Sequence, residues 1–395
     1  MWIFSSNSTI LVLKILFATV LICSSIDFEI TPAYNSSLRD KLFKYRESVW
    51  SKKRSGCGLI WTLATMTGQE SDIETLSKLD NSVGFYRIMS VAFEVMQSAG
   101  RARHAWQLNS TLPTICSNNI KLTLFVDRCL LHSSRTAILK SYAECIFDKI
   151  IYFDELPLSI LPINTSGDNK EGTKRLSSRT NTLKLVALLS TPYQYTIYLD
   201  GDTAPCSQFP YAPFYDLITY DMFTTANPFG YQSTNNQKTY LGSPNHNSYS
   251  DFPEPNGGII GYQWTSQTER LFIRSMELIP YFNNILGFDQ DQAYLRHALY
   301  EEIHLYNLNI LAQSMSKYCR FAWNCDYNRC RIGCILIHQR LCLSNGINHY
   351  YNITLHSRTT SSNEQYICLN ILPKLSQQLI LYNRKYHTAR KKNIL

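Results

Sequence analysis

The chain of 395 residues carries 38 Lys and Arg against 30 Asp and Glu, a net charge of +8, with 45% hydrophobic and 17% charged residues. So much apolar content with so little charge excludes a disordered chain, and the presence of only one long apolar run excludes a polytopic membrane protein. The length suits one large catalytic-sized domain with flanks better than a string of small modules.

The positive excess is partly local, because Arg384, Lys385, Arg390, Lys391 and Lys392 crowd the C-terminal end. That pattern reads as a solvated tail. No basic stripe with stacking aromatics or a docking motif runs through the chain, so nucleic acid is not an expected partner.

The first element is the apolar run Ile10–Ile26, ILVLKILFATVLICSSI, near the lower limit of about 17 residues for a spanning helix. Its Leu, Ile, Val and Phe residues contribute about −0.4 kcal/mol each on an insertion scale, which outweighs roughly 3 kcal/mol for Lys14. Residues 1–30 therefore read as an uncut signal-anchor of single-pass type II topology. The alternative is a cleaved signal peptide, with Met1–Lys14 as a weak n-region, Ile15–Cys23 as its apolar core, and Cys23 and Ser25 as small residues flanking the cut. Arg39 and Lys41 lie after the run, which runs against a cytoplasmic N-terminus under the positive-inside rule. Either reading sends residues beyond about 30 into the secretory pathway lumen, at the Golgi or endoplasmic reticulum membrane or, if the segment is cleaved, to secretion. Acceptor patterns at Asn35, Asn109, Asn164 and Asn352 agree. So does the cysteine usage: Cys319, Cys325, Cys330, Cys334 and Cys342 cluster without the paired spacing of a zinc ribbon, as disulfide partners in an oxidising lumen would.

Residues 31–56 lack clear periodicity and read as a stem or linker. From Gly58, LIWTLAT is a continuous apolar and β-branched run suited to a buried strand. Ser82–Ser98 has helical period, and Leu122–Val126 is a second buried strand ending at Asp127, which completes a β-α-β unit. Ser134–Phe147 is again helical, Lys149–Phe153 a short strand, Leu183–Ser190 a helix, and Tyr195–Leu199 a fourth strand that runs into Asp200. This alternation predicts an α/β fold, a Rossmann-like, mostly parallel sheet with helices on both faces. Residues 204–256 are rich in Pro, Tyr, Asn and Ser and read as a long functional loop. Gly257–Tyr262 restarts a strand and Ser266–Met276 a helix. The domain is placed at 57–345, with 346–395 as a C-terminal extension.

The most informative string is Asp200-Gly-Asp202, because a buried strand delivers two carboxylates, one residue apart, to its carboxyl end, where open α/β sheets bind ligands. Two hard oxygen donors beside a turn suit Mn²⁺ or Mg²⁺, which in turn can hold a diphosphate.

At this point the chain resembles a GT-A fold nucleotide-sugar glycosyltransferase, similar to the glycogenin-like enzymes of glycosyltransferase family 8 and related Golgi transferases. Trp61-Thr-Leu-Ala-Thr65 resembles the first strand, whose end meets the nucleotide, and Asp200-Gly-Asp202 the metal-binding Asp-x-Asp. Glu254-Pro-Asn256-Gly-Gly258-Ile-Ile-Gly-Tyr262 resembles the Asn-x-Gly-Val strand start, Phe288-Asp-Gln-Asp291-Gln292 the Asp-Gln helix start, and Ile335-Leu-Ile-His338 a late strand ending in a metal-ligand His. The resemblance implies metal ligands Asp200, Asp202 and His338, with Asp200 sharing the metal or holding the ribose, and nucleotide-sugar contacts from Thr62, Thr65, Asn256, Gly257 and Gly258; Asp127, which ends the second strand, either meets the base or ribose or starts a turn. It places Asp291 and Gln292 at the reacting sugar. The partners it implies are a nucleoside-diphosphate sugar, first of all a UDP-sugar, and a glycan, glycoprotein or glycolipid acceptor, with the membrane reached through the N-terminal segment. The family's closing His-x-x-Gly and Lys-Pro-Trp element is absent after His338, and Lys184 or Arg179 is the expected substitute for its positive charge.

Two rivals stand beside this reading. A haloacid-dehalogenase-type phosphotransferase also carries Asp-x-Asp after an apolar strand, although on the strand that opens the domain. A luminal sugar-binding or scaffold protein on a transferase fold is the non-enzymatic one.

Overall fold

The computed structural model describes residues 36–49, 54–65, 68, 73–74, 83–107, 114–116, 120–158, 174–205, 211–226, 255–284, 291–313, 318–320, 336–338 and six positions between 377 and 388. All lie in one compact unit, Asn35–Leu395. The apolar run Ile10–Ile26 and the acceptor residues Asn35, Asn109, Asn164 and Asn352 lie outside the described residues. No described helix is long and apolar enough to cross a membrane.

The helices are α1 (Ser36–Val49), α2 (Val83–Gln107), α3 (Arg128–His132), α4 (Ala137–Ile146), α5 (Lys174–Leu189), α6 (Tyr211–Thr219), α7 (Ser266–Asn284) and α8 (Asp291–Tyr306). The strands are β1 (Cys57–Leu63), β2 (Ile120–Val126), β3 (Lys149–Tyr152), β4 (Tyr195–Leu199), β5 (Thr203–Pro205), β6 (Met222–Ala226), β7 (Pro255–Gln263), β8 (Ile310–Gln313), β9 (Tyr318–Arg320) and β10 (Leu336–His338). Seven of them form the main sheet in the order β3-β2-β1-β4-β7-β6-β8, and β5-β10-β9 form a small second sheet. In the main sheet β7 alone runs against its neighbours. The mixed α/β architecture with a mostly parallel sheet matches the sequence expectation.

Side chains alternate across the sheet as strand geometry demands. Leu59, Trp61 and Leu63 of β1, with Ile197 and Leu199 of β4, face a core filled by α2, α3, α4 and α6. Ile60, Tyr198 and Ile260 face the opposite core, filled by α1, α5, α7 and α8. On α2 the buried set Met89, Ala92, Phe93, Met96 and Ala99 recurs every three or four residues, the spacing that lays one helix stripe on a sheet.

Several boundaries differ from the sequence expectation. The stretch read as a linker at 31–56 contains α1, whose Leu42 and Tyr45 are buried three residues apart in the second core. Burying Leu42 alone is worth about 2 kcal/mol. The Tyr45 hydroxyl lies 2.6 Å from Ser190 Oγ, and burial pushes its pKa up. Arg54 then closes the α5 C-terminus, donating to Leu189 O at 3.1 Å and Thr191 O at 3.0 Å while its guanidinium lies over the Trp264 ring. Polar composition concealed a segment that docks through a few large side chains. Within the stretch expected to be an irregular loop, α6 and β6 form, because Phe214, Leu217, Met222 and Phe223 reach the core. In the C-terminal extension Tyr382 stacks on Phe93, at 5.4 Å between ring centroids. A disulfide joins Cys57 to Cys116, 59 residues apart, so the start of β1 is tied to the turn before β2. The side chains of the C-terminal cysteine cluster lie outside the described residues.

Candidate functional site

The sheet reverses its direction of growth at β1. From β1 the chain builds outward to β2 and then β3, whereas β4 joins β1 on the other side. Crossovers that leave in opposite directions open a crevice at the carboxyl ends of the strands, and here that crevice lies between β1 and β4. Because β7 is antiparallel to β4, with Leu199 opposite Ile259, the entry to β7 returns to the same edge.

The turn Asp200-Gly201-Asp202 sits at that point. Its first carbonyl accepts from Thr203 N at 3.1 Å and from Thr203 Oγ1 at 2.7 Å. Thr203 Oγ1 is 2.9 Å from Ser98 Oγ, which accepts from Trp61 Nε1 at 3.0 Å, so a polar chain from α2 and β1 supports the turn from below. A side chain at position 201 would meet Val95 Cγ2 at 2.6 Å, which explains why glycine separates the two acids where α2 presses against the turn.

The Asp200 carboxylate is held as well as exposed. Its Oδ1 accepts from the Tyr198 hydroxyl at 2.8 Å and from Lys184 Nζ at 3.3 Å, while 32% of the side chain remains exposed. An ionised carboxylate only accepts, so the Tyr198 hydroxyl donates to it, and the Thr62 hydroxyl 3.0 Å away can donate in turn to Tyr198. Lys184, itself buried, also lies 4.8 Å from the Tyr198 ring centroid. Thr62, Lys184 and Asp200, proposed separately from sequence, thus form one network whose centre is Tyr198. Sequence reasoning passed over Tyr198. The signal was there, since residues two apart on a strand share a face.

Asn256 is fully buried, and its Oδ1 accepts from Gly258 N at 2.8 Å. Gly258 O accepts from Asp200 N at 2.8 Å, which welds the entry of β7, including Gly257, to the acidic turn. On the other flank β5 leaves the turn and pairs with β10, and His338 stands directly opposite Thr203, the residue after Asp202. Residues 135 positions apart (338 − 203) are therefore register partners beside the acids. Paired residues across an antiparallel ladder lie about 5 Å apart at Cα.

Thr65 and Asp127 are placed inside the edge. Asp127 Oδ2 accepts from Thr65 N at 2.6 Å, Thr65 Oγ1 at 3.1 Å and Arg179 Nη1 at 2.7 Å, while its Oδ1 accepts from Arg179 Nη2 at 2.8 Å. The Asp127 and Arg179 side chains are 3% and 7% exposed. The sequence offered Arg179 as a source of charge for a phosphate, and the fold instead gives it to Asp127. Asp291 and Gln292 form the first turn of α8, which packs on β7 and α7.

Asp200 and Asp202 supply hard oxygen donors on one turn, the donor type that suits Mn²⁺ or Mg²⁺, and strand register places His338 beside the same turn. Among the described residues no group of three or more His, Cys, Asp or Glu stands ready to hold a metal. The phosphotransferase alternative expects the acid pair on the opening strand, whereas here it follows β4.

No protein-family model matches the chain, and no curated protein matches it significantly. Among solved structures, mouse xyloside xylosyltransferase 1 in its apo form is similar over 72% of this chain and 98% of its own, with a TM-score of 0.43 and 10% sequence identity. The galactosyltransferase LgtC in complex with donor and acceptor sugar analogs is similar over 79% of this chain and all of its own, with a TM-score of 0.42 and 13% identity. The apo structure of the bifunctional glycosyltransferase WbbM is similar over 73% of this chain and 46% of its own, with a TM-score of 0.41 and 10% identity.

Proposed function

We propose that the chain is a GT-A-type, divalent-metal-dependent glycosyltransferase, which moves a sugar from a nucleoside-diphosphate donor, first of all a UDP-sugar, to a glycan, glycoprotein or glycolipid acceptor. The observation that carries the proposal is the convergence, at the topological switch point between β1 and β4, of the Asp200-Gly201-Asp202 turn, the Asn256–Gly258 entry to β7 and the end of β10 at His338.

Asp202, Asp200 and His338 would hold the Mn²⁺ or Mg²⁺, which when bound supplies Lewis-acid stabilisation of the diphosphate leaving group. The Tyr198 hydroxyl fixes one Asp200 oxygen in place. Lys184, an ammonium resting on Asp200, is a cation held at the same turn and is assigned to an incoming phosphate. Thr62 orients the Tyr198 hydroxyl, and Gly257 and Gly258 allow the backbone to approach the sugar without a side chain between them. Asp291 and Gln292, opening α8, are assigned to the sugar hydroxyls near the reacting carbon. The Cys57–Cys116 disulfide supports an oxidising compartment, in line with a luminal enzyme reached through the secretory pathway.

The test is sugar release and transfer by the purified full chain across a panel of UDP- and GDP-sugars, with Mn²⁺ and with chelator. Turnover of at least one donor, abolished by chelator, is expected. Silence across the panel in the presence of metal would favour the scaffold alternative.

A further inference from the structure

We infer that Asp127 and Arg179 are a positioning pair for the donor: they hold Thr65 and Gly68, on the chain leaving β1, in their receiving conformation, and neither side chain touches the nucleotide. The inference rests on the glycosyltransferase reading above and assigns these two residues a role within that site.

Asp127 occupies the N-cap position of α3, where an aspartate ordinarily accepts a hydrogen bond from the helix's first amides. Here it makes no side-chain cap. Its two oxygens turn across the sheet edge and receive the Arg179 fork and Thr65 instead. The pair thereby consumes Thr65 completely. Thr65 N and Oγ1 donate to Asp127, Thr65 O accepts from Arg179 Nη1 at 2.8 Å, and Thr65 Oγ1 accepts from Gly68 N at 2.9 Å.

Gly68 closes the wrap. Its φ of +81° lies in the region that L-residues avoid, and a side chain there would meet Arg179 Nη2 at 2.5 Å and Asp127 Oδ1 at 3.2 Å. Gly68 is therefore seated against the ion pair in a conformation that side chains rarely adopt. Asp127 N also donates to Leu63 O at 3.1 Å, so the ends of β1 and β2 are tied by backbone as well as by the pair. Every atom of the pair named so far faces protein. What the pair determines is where the β1 exit points, at the carboxyl edge that also carries Asp200 and Asp202.

A planar fork satisfies this geometry, and an ammonium does not. A role confined to stability makes a different forecast from a positioning role. Replacing a buried ion pair by apolar side chains of similar volume is often neutral or stabilising, whereas removing one partner is strongly destabilising. The double variant Arg179→Met/Asp127→Leu separates the two roles, because it strands neither charge and can stay folded while losing the grip on Thr65.

The experiment titrates UDP and GDP, with Mn²⁺ present, into full-length wild type, the double variant, Arg179→Lys and Gly68→Ala, with melting temperatures measured in parallel. For the nucleotide that wild type binds more tightly, the double variant, which leaves the buried Thr65 groups without these partners, is expected to melt below wild type yet remain folded at the titration temperature, with a Kd raised about tenfold or more, a loss of at least ~1.4 kcal/mol of binding. Arg179→Lys should show a smaller rise. A stable double variant with wild-type affinity overturns the inference. If the double variant does not fold, Gly68→Ala decides, since it crowds the contact between Gly68 and the pair while leaving both charges in place: a raised Kd at a near-native melting temperature supports positioning, and an unchanged Kd refutes it. Failure of wild type itself to bind either nucleotide would overturn the glycosyltransferase reading and this inference together. Tight wild-type binding with unaffected variants overturns the positioning role alone.

Discussion

Two buried arginine forks in this molecule use the same chemistry for different ends. Arg179 grips Asp127 at the carboxyl edge of the sheet, and Arg274 grips Glu301 between α7 and α8, through Nε at 2.6 Å and Nη2 at 3.0 Å. The partners beyond each fork separate them. Arg274 also reaches Glu277, at 3.2 Å on its own helix, and Glu277 lies 3.9 Å from Arg39 of α1. That network joins helices. Arg179 and Asp127 bind backbone and hydroxyl groups of Thr65, so their network shapes a loop. Burial and ion pairing alone do not distinguish scaffold from site, whereas the identity of the third partner does.

Arg274→Met should separate the two networks most strongly. Stranding Glu301 and Glu277 in the core should cost about 3–5 kcal/mol in urea unfolding. Affinity of the folded fraction for UDP should stay at the wild-type value. A matching loss of nucleotide affinity would show that the helical network also serves the site, and would erase the distinction.

A smaller effect lies in the pH dependence of the helical cluster. Glu301 is buried, which alone raises its pKa, but His297, 3.2 Å away, and the Arg274 fork outweigh burial and hold it below the ordinary carboxylate range. A lowered folded pKa contributes stability that is present above the unfolded value and is lost as pH falls through the folded value. Glu277 goes the other way: burial raises its pKa despite Arg274 and Arg39, so its contribution is present at low pH and is lost as pH rises through the raised value. Glu301→Gln should therefore flatten the acid limb of a melting-temperature profile, and Glu277→Gln the limb above the ordinary carboxylate range. Identical profiles for the two variants would contradict the opposite signs.

Legibility in the sequence followed the range of the interaction. The acidic turn stood out because strand, turn and acid pair are contiguous from Tyr195 to Asp202, and β4 begins and ends where the apolar run does. The helix starting at Ser266 and the strand around Gly257–Tyr262 were equally local, although both run further than expected because buried neighbours extend them. The antiparallel sense of β7 was not legible, since an apolar run carries no direction. Nor was α1, whose two buried anchors sit among charged residues. The Asp127–Arg179 pair joins residues 52 apart (179 − 127), and nothing local marks Arg179 among the hydrophilic residues around it. The meeting of β5 with β10 was anticipated only through the resemblance that named His338.

The central claim is that the Asp200-Gly201-Asp202 turn is the metal and diphosphate site. The measurement that reaches it most directly is calorimetric titration of Mn²⁺ into the full chain with UDP present, comparing wild type with Asp202→Asn. The substitution keeps the shape of the side chain and removes the anionic ligand, on a turn supported independently by Ser98 and Thr203. The account predicts saturable Mn²⁺ binding by wild type, weakened about tenfold or more in Asp202→Asn, a change of ~1.4 kcal/mol or greater, with the melting temperature of the unliganded protein unchanged. Equal Mn²⁺ affinity in the two proteins would contradict it.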